Sequence, residues 1–216
     1  MPATPSRAEH RLAQIENVSD SELASLDVEQ LLDELLNRVR TLLEVDTAAI
    51  LLLDANGTGL VATAARGIEE EVRQGVSVPL RKGFAGRVAA EKRPVVLDRV
   101  DETTVVNPLL VSKGIKTMLG VPLLDAGRVV GVLHVGSLTP RQFDESDVQL
   151  LQLVADRVTG AVGSRLARME RDAAVSLQRG LLPPKLPEVP GLELSARYVP
   201  GGGKAIGGDW YDVFAL

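Results

Sequence analysis

The chain has no cysteine among its 216 residues. That absence excludes disulfides, thiolate metal ligands, thiol nucleophiles and thioether-linked chromophores. Aromatic residues make up 3% of the chain, and there are two histidines, His10 and His134. A Ser–His–Asp hydrolase site therefore has almost no candidates, and any chemistry has to come from oxygen groups, nitrogen groups or the backbone.

Positive charge and long apolar runs are also scarce. Lys and Arg number 24 against 29 Asp and Glu, which gives a formal net charge of −5. This balance does not favour nucleic-acid binding, which needs a basic face. The apolar runs, such as TAAILLL, are far shorter than the roughly 20 residues of a membrane span, and MPATPSRAEH has no apolar secretory core. We therefore expect a globular cytoplasmic protein with no nucleic-acid or membrane partner.

Two stretches have the apolar spacing of long helices. The first, VEQLLDELLNRVRTLL, places its leucines and valines on one face. The second begins at FDESD, where Asp144 and Asp147 predict a capped start, and its apolar stripe continues to Leu177. The period of this stripe is nearer that of a straight helix than the 3.5 residues of a coiled coil. This helix extends beyond the predicted sheet, so we expect its second half to pack on another chain.

Between the two helices the sequence predicts an antiparallel sheet. Short apolar runs are joined by turn signals, Asn56-Gly57 in one hairpin and Asp125-Ala126-Gly127 in another. Neighbouring strands joined by such short turns pair in opposite directions. The one long irregular stretch inside the domain is RVDETTVVNPLLVSKGIK, which we interpret as a lid or pocket wall. The predicted fold class is α+β, with about five to six strands and helices packed on them.

The order of these stretches is similar to that of a GAF domain, a small sensory module of bacterial regulators. The resemblance spans residues 26–162 and is carried by LLDELLNRVRTLL, TAAILLLD, GFAGRVAAEKRPVVLD, TMLGVPLLDAGRVVGVLHVGS and FDESDVQLLQLVADRVTGAV. Outside this range, the residue pattern predicts a tail and lead-in helix over residues 1–25 and a linker helix over residues 163–182. The region where haem-binding members carry a histidine, LLVSKGIKTM, has none here.

A ligand pocket is predicted in the region of the irregular stretch. The candidates for its lining are Phe84, Val106, Asn107, Leu110, Lys116, Met118 and His134. In one interpretation Asn107 and Lys116 orient a ligand in an apolar pocket; in the other, these residues fill the core and surface. Strand alternation places His134 opposite Leu133 and Val135. It then either enters the pocket or, if those two face the helices, is a satisfied structural histidine on the other side of the sheet.

The end of the sequence resembles the start of a SpoIIE/RsbU-type serine phosphatase of the metal-dependent PP2C class. The resemblance is carried by LQRGLLPPKLPEVPGLELSARYVPGGGKAIGGDWYDVF, and GGDWYD is its most specific part. It implies that Asp209, and more weakly Asp212, binds a catalytic Mn²⁺ or Mg²⁺, since both ions prefer oxygen ligands. The sequence ends before the further aspartates that two metals require. We therefore expect residues 183–216 to be an incomplete domain without catalysis or a bound cofactor.

Together these features predict a regulatory sensor of a protein serine phosphatase. The linker helix would relay a signal and join two copies of the chain as a homodimer. For the whole protein, the resemblance implies a phosphorylated anti-sigma-factor antagonist as the substrate. An alternative interpretation is a structural dimerisation module that binds no ligand.

Overall fold

The computed structural model describes the backbone of residues 28–181, with Gly191 and Ser195, and the side chains of residues 29–164. In chain order the elements are α1 (Val28–Leu43), β1 (Thr47–Leu53), β2 (Gly59–Arg66), α2 (Glu70–Arg73), β3 (Ser77–Pro79), α3 (Gly83–Glu91), β4 (Val95–Leu97), α4 (Pro108–Ser112), β5 (Thr117–Asp125), β6 (Arg128–Ser137) and α5 (Glu145–Leu181). The α+β class and the antiparallel sheet predicted from the sequence are confirmed.

The six strands form one antiparallel sheet in the order β3-β2-β1-β6-β5-β4. The predicted hairpins lie at β1–β2 and β5–β6. In the second hairpin Asp125 pairs with Arg128, and the two residues between them, Ala126 and Gly127, both have positive φ. This is the backbone of a type I′ turn, whose twist matches that of the strands it joins.

The sheet is covered on both faces. The helix face packs against α1 and α5 and includes Leu133 and Val135 of β6, together with Leu36 of α1 and Val158 of α5. The opposite face, here called the cavity face, packs against α3 and α4. It includes Val132 of β6 and forms a second apolar cluster. Because side chains alternate along a strand, each central strand contributes to both clusters.

The stretch after β4 is less irregular than the sequence predicts. Five of its residues form the short helix α4, with Pro108 in its first turn. Proline suits that position because its missing N–H has no partner in a helix start. A second short helix, α2, follows β2 and was not predicted; Glu71 is its buried residue. Both short helices lie on the cavity face and shape the candidate site.

The start of α5 is capped as predicted. The Asp147 N–H donates to Asp144 Oδ1 at 2.9 Å, and the Asp144 N–H donates to Asp147 Oδ2 at 3.2 Å. Arg141 adds a charged contact, with its Nη2 donating to the same Asp147 oxygen at 2.6 Å. Arg141 also donates to the backbone carbonyl of Leu43 at the end of α1. The cap of α5 and the end of α1 are therefore held by the same arginine.

The chain divides into two compact units, residues 1–162 and 163–216. The boundary falls inside α5, which is one continuous helix of 37 residues. Among the helices described, none combines the length and apolar character that a membrane crossing needs. The predicted lead-in helix, the side chains of the predicted dimer contact and both phosphatase aspartates lie outside the described residues.

We expect Asp147→Ala to lower the free energy of unfolding by about 3 kcal/mol, because it breaks a largely buried ion pair as well as a helix cap. The Asp147 side chain is 4% exposed. Asp144→Ala, which removes only a cap, should cost about 1 kcal/mol. Urea unfolding of the two variants measures the difference. Equal losses would show that the contact with Arg141 adds nothing.

Candidate functional site

A small cavity lies on the cavity face, between the sheet and the helices α2, α3 and α4. Its lining residues are Leu51, Glu71, Val78, Phe84, Ala85, Val105, Val106, Asn107, Leu110 and His134. Five of the seven candidates from the sequence are among them. Lys116 is exposed and Met118 is buried in the apolar cluster, so the structure brings neither to this cavity. The irregular stretch does supply part of the wall, through residues 105–107 and Leu110.

His134 has the facing that the sequence gives when Leu133 and Val135 face the helices, but it also lines the cavity, as in the other alternative. Its neighbours Leu133 and Val135 face the long helices, so the imidazole points to the other side of the sheet. That side holds the cavity, and His134 lines it. The error lay in placing the pocket on the helix face. The histidine is also not satisfied, since its Nδ1 has no hydrogen-bond partner among the described residues.

The strand residues paired with His134 are small. Its cross-strand partners are Ala49 on β1 and Gly120 on β5. The Phe84 ring lies directly over Gly120, where an added Cβ would be 2.8 Å from Phe84 Cζ. Phe84 then meets the imidazole edge-on, with ring centroids 6.2 Å apart and an interplanar angle of 77°. A larger residue at position 120 would displace the aromatic wall of the cavity.

Glu71 is the site residue that the sequence did not reveal. It is the third of three consecutive glutamates, and its side chain is 2% exposed. One carboxylate oxygen, Oε1, accepts a hydrogen bond from Asn107 Nδ2 at 2.6 Å. The other, Oε2, lies 3.7 Å from His134 Nε2, too far for a hydrogen bond. The available signal was helical spacing, since Glu71 follows the buried Ile68 by three residues.

Asn107 connects the carboxyl group to the start of α4. Its Oδ1 accepts from the Leu109 N–H at 3.0 Å, which is an N-cap contact. Its Nδ2 donates to Glu71, so both ends of the amide are engaged and its orientation follows from the two contacts. A salt bridge between Lys113 Nζ and Glu70 Oε2 at 3.9 Å joins α4 to α2 nearby. These contacts hold α2 and α4 together over the cavity.

The cavity is polar at one end and very small. Its volume is about 10 Å³, which is close to the space that one water molecule needs. Glu71 Oε2 and His134 Nδ1 are both buried without a hydrogen-bond partner among the described residues. Buried polar atoms in folded proteins are nearly always paired. Two of the residues that line the cavity therefore each carry a buried polar atom that is free to bond to a small polar group.

Burial disfavours the charged form of both groups. It raises the pKa of Glu71 from 4.5 to about 7, although the hydrogen bond from Asn107 acts in the opposite direction. Burial also lowers the pKa of His134 from 6.5 to about 4. Near pH 7 the histidine is neutral and the carboxyl group is close to its midpoint, so a small change in its surroundings alters its charge.

A larger open groove adjoins the cavity at Phe84. It has a volume of about 570 Å³. Its lining residues are Arg81, Gly83, Phe84, Arg87, Ala90, Glu91, Leu97, Thr103 and Thr104. Arg87 is paired with Glu91 at 2.7 Å. Val106 lies against Gly83, where an added Cβ would be 2.7 Å from Val106 Cγ2. Phe84 and Val106 therefore stand between the cavity and the groove.

No metal site is apparent in the part of the chain that the structure describes, since no three His, Asp or Glu side chains cluster there. The predicted metal ligands Asp209 and Asp212 lie outside that part. The metal assignment stays a prediction from the sequence.

We expect the stability of the chain to depend on pH through Glu71. An unfolded glutamate loses its proton near pH 4.5, whereas buried Glu71 keeps it to about pH 7. The unfolded state then binds fewer protons, so this group lowers the free energy of unfolding as pH rises through that window. Glu71→Gln has no such loss. Its free energy of unfolding should therefore rise relative to that of the wild type by about 3 kcal/mol from low to high pH. Urea unfolding across the range measures it.

Glu70→Gln is the matched control, because Glu70 is on the same helix and its side chain is 40% exposed. The lowered pKa of His134 costs stability as pH falls from 6.5 to 4. That loss occurs in both proteins and cancels in their difference. A difference between wild type and Glu71→Gln that stays constant with pH would contradict the raised pKa.

Comparison with known proteins identifies the fold family. A family model described as GAF domain matches residues 25–162. The Nif-specific regulatory protein of Azospirillum lipoferum is 27% identical over 147 residues, which is 62% of this chain and 23% of the relative. The chain therefore spans about a quarter of the length of the curated relative it matches.

Two solved structures share the fold. The GAF domain of an Acinetobacter phosphoenolpyruvate-protein phosphotransferase has a TM-score of 0.63 and 24% identity, over 76% of this chain and 97% of that one. The free methionine-R-sulfoxide reductase of Neisseria meningitidis, in complex with its substrate, has a TM-score of 0.59 and 24% identity. The match covers 77% of this chain and 96% of the reductase chain. This chain belongs to the GAF domain family, whose members are regulatory and sensory domains of various signalling proteins.

Proposed function

We propose that this GAF domain senses a small molecule at the cavity lined by Glu71, Asn107 and His134. The observation that carries the proposal is the pair of buried, unpartnered polar atoms beneath a cover of two short helices. A similar fold in the Neisseria reductase is found in complex with its substrate, which supports small-molecule binding by this architecture. The reductase chemistry itself is not proposed here, because this chain has no cysteine.

Strand β6 offers the route by which the cavity acts on α5. His134 lies in the cavity, while the adjacent Leu133 and Val135 pack with α5 on the helix face. A ligand that shifts His134 therefore also alters the packing of Leu133 and Val135 against α5. It changes the position of the helix only if it binds two states of the domain with different affinity. Residues 163–181 of the helix would then carry the change onward, as part of the predicted linker.

We also propose that the output is a metal-dependent serine phosphatase of the SpoIIE/RsbU type. The support is the sequence resemblance of residues 172–216, above all GGDWYD. Within a complete domain of that type, Asp209, with Asp212 as a weaker candidate, would bind Mn²⁺ or Mg²⁺ together with further aspartates. The substrate would be a phosphorylated anti-sigma-factor antagonist. A homodimer through the linker helix and a cytoplasmic location belong to the same proposal.

A second candidate is a dimerisation module without a ligand. The observation that favours it is the volume of the cavity, about 10 Å³, which is too small for an organic molecule unless the cover moves. In that case the domain would serve to hold two copies of the linker helix together. Changing the cavity residues would then alter stability but not output.

The test of the relay uses a protein in which this chain continues into a complete phosphatase domain of that type. Two residues inserted into α5 after residue 168 rotate the downstream helix by about 200°, whereas four residues rotate it by about 40° beyond a full turn. We expect the two-residue insertion to change Mn²⁺-dependent phosphatase activity at least about fivefold, the lower range of allosteric coupling. The four-residue insertion should change it less. Hydrolysis of a phosphoserine substrate reports both.

Asp209→Asn is the control for the active site in the same assay. We expect it to lower activity by more than about 100-fold, since a direct metal ligand matters more than a supporting residue, whose loss costs roughly 10–100-fold. Equal activity of both insertion variants and the parent protein would contradict a relay through α5. Full activity of Asp209→Asn would contradict the metal assignment.

A further inference from the structure

The polar end of the cavity has an unbalanced chemistry. Glu71 is its one carboxyl group, and neither Lys nor Arg is among the ten lining residues. Asn107 supplies a hydrogen bond to Oε1, but Oε2 and His134 Nδ1 have no partner among the described residues. Neutral imidazole and carboxylate can both accept hydrogen bonds. The site therefore suits a group that brings several N–H donors and a positive charge.

The charged groups on the surrounding elements do not fill this role. Lys113 on α4 is 3.9 Å from Glu70, and Arg87 on α3 is 2.7 Å from Glu91. Arg73 on α2 itself is directed to Glu70 at 3.3 Å. His134 is the one titratable group that faces the Glu71 carboxyl group in the cavity. A buried carboxylate is stabilised by a paired positive charge, which none of the lining residues carries near pH 7.

The dimensions of the cavity limit the group that can enter. A volume of about 10 Å³ accepts a head group the size of water. Val106 is the exposed member of the lining, at 49%, and it lies beside Gly83 of the adjoining groove. A ligand could thus place a small head group next to Glu71 while its body passes Val106 and Phe84 into the groove.

We propose that the cavity binds the ammonium group of a small primary amine, with Glu71 as its charge partner and His134 Nδ1 as a second acceptor. Asn107 holds the carboxyl group in position, and the alkyl body of the amine extends past Val106. This inference rests on the proposed sensory function, because it names the class of ligand for the same cavity.

Ammonium binding requires the ionised form of Glu71. When the carboxyl group is protonated, its proton passes to solvent as the ammonium group enters, and an ion pair replaces the neutral acid. Because burial raises the pKa of Glu71 to about 7, the ionised fraction grows between pH 6 and pH 8. An alkylamine stays protonated over this range, as lysine does. Binding should therefore be about tenfold tighter at pH 8 than at pH 6.

The experiment is an NMR titration of the chain, labelled with ¹⁵N-histidine, with propylammonium chloride. The sequence has two histidines, so the ring signals of His134 can be followed with His10 as an internal reference. Propan-1-ol provides a donor without charge, and N,N,N-trimethylpropylammonium provides charge without N–H donors. We expect saturable shifts of His134 with propylammonium, about tenfold tighter at the higher pH, and much weaker effects with the other two compounds.

Glu71→Gln should abolish both the saturable shift and its pH dependence, whereas Glu70→Gln should preserve them. Gln can keep the hydrogen bond from Asn107, and thermal unfolding checks that the variant folds. The wild-type pH dependence is a second test that needs no variant. The proposal is overturned if propylammonium leaves His134 unchanged, if propan-1-ol binds equally well, or if affinity does not rise with pH.

The result is separable from that of the relay experiment. Amine binding with no effect of the α5 insertions would support the ligand class and contradict the relay. An effect of the insertions without amine binding would keep the sensor and overturn the ligand class proposed for it.

Discussion

The alternation of side chains along a sheet buried on both faces determines most of this structure. On β6 it sends Leu133 and Val135 to the helices and His134 to the cavity. A one-residue change of register would exchange these environments and place an imidazole among the leucines and valines that hold α1 and α5. The same strand therefore supplies the support of the long helices and the polar wall of the cavity, which couples two parts of the domain that share no lining residue.

The polar end of the cavity depends on a buried carboxyl group. Asn107 donates a hydrogen bond to one oxygen of Glu71, and its own oxygen caps α4. One side chain therefore both positions a helix that covers the cavity and affects the pKa of the carboxyl group. The remaining oxygen, Oε2, and the imidazole Nδ1 have no hydrogen-bond partner among the described residues. Buried polar atoms without partners lower the stability of the fold, and a small change in their surroundings alters their interactions. The small molecule proposed for this cavity would give both atoms a partner.

Local rules in the sequence predicted the sheet, the hairpins and the long helices, because Asn56-Gly57, apolar periodicity and the Asp144 cap act over a few residues. They did not predict which face holds the cavity, since strand alternation fixes relative but not absolute facing. Glu71 was missed because nothing distinguishes one of three adjacent glutamates until α2 packs on the sheet. Lys116 was placed near the pocket by proximity along the chain, yet its side chain is exposed.

We propose that ionisation of the Glu71 carboxyl group affects α5 through the contacts of β6. Amide hydrogen exchange of wild type and Glu71→Gln at pH 8, with Glu70→Gln as the control, tests it most directly, because the wild-type carboxyl group is then mostly ionised. For Glu71→Gln alone, we expect exchange in β6 and in residues 145–162 of α5 to change by more than the different global stability of this variant changes it in the rest of the sheet. Changes in β6 and α5 no larger than those in the rest of the sheet would contradict this route.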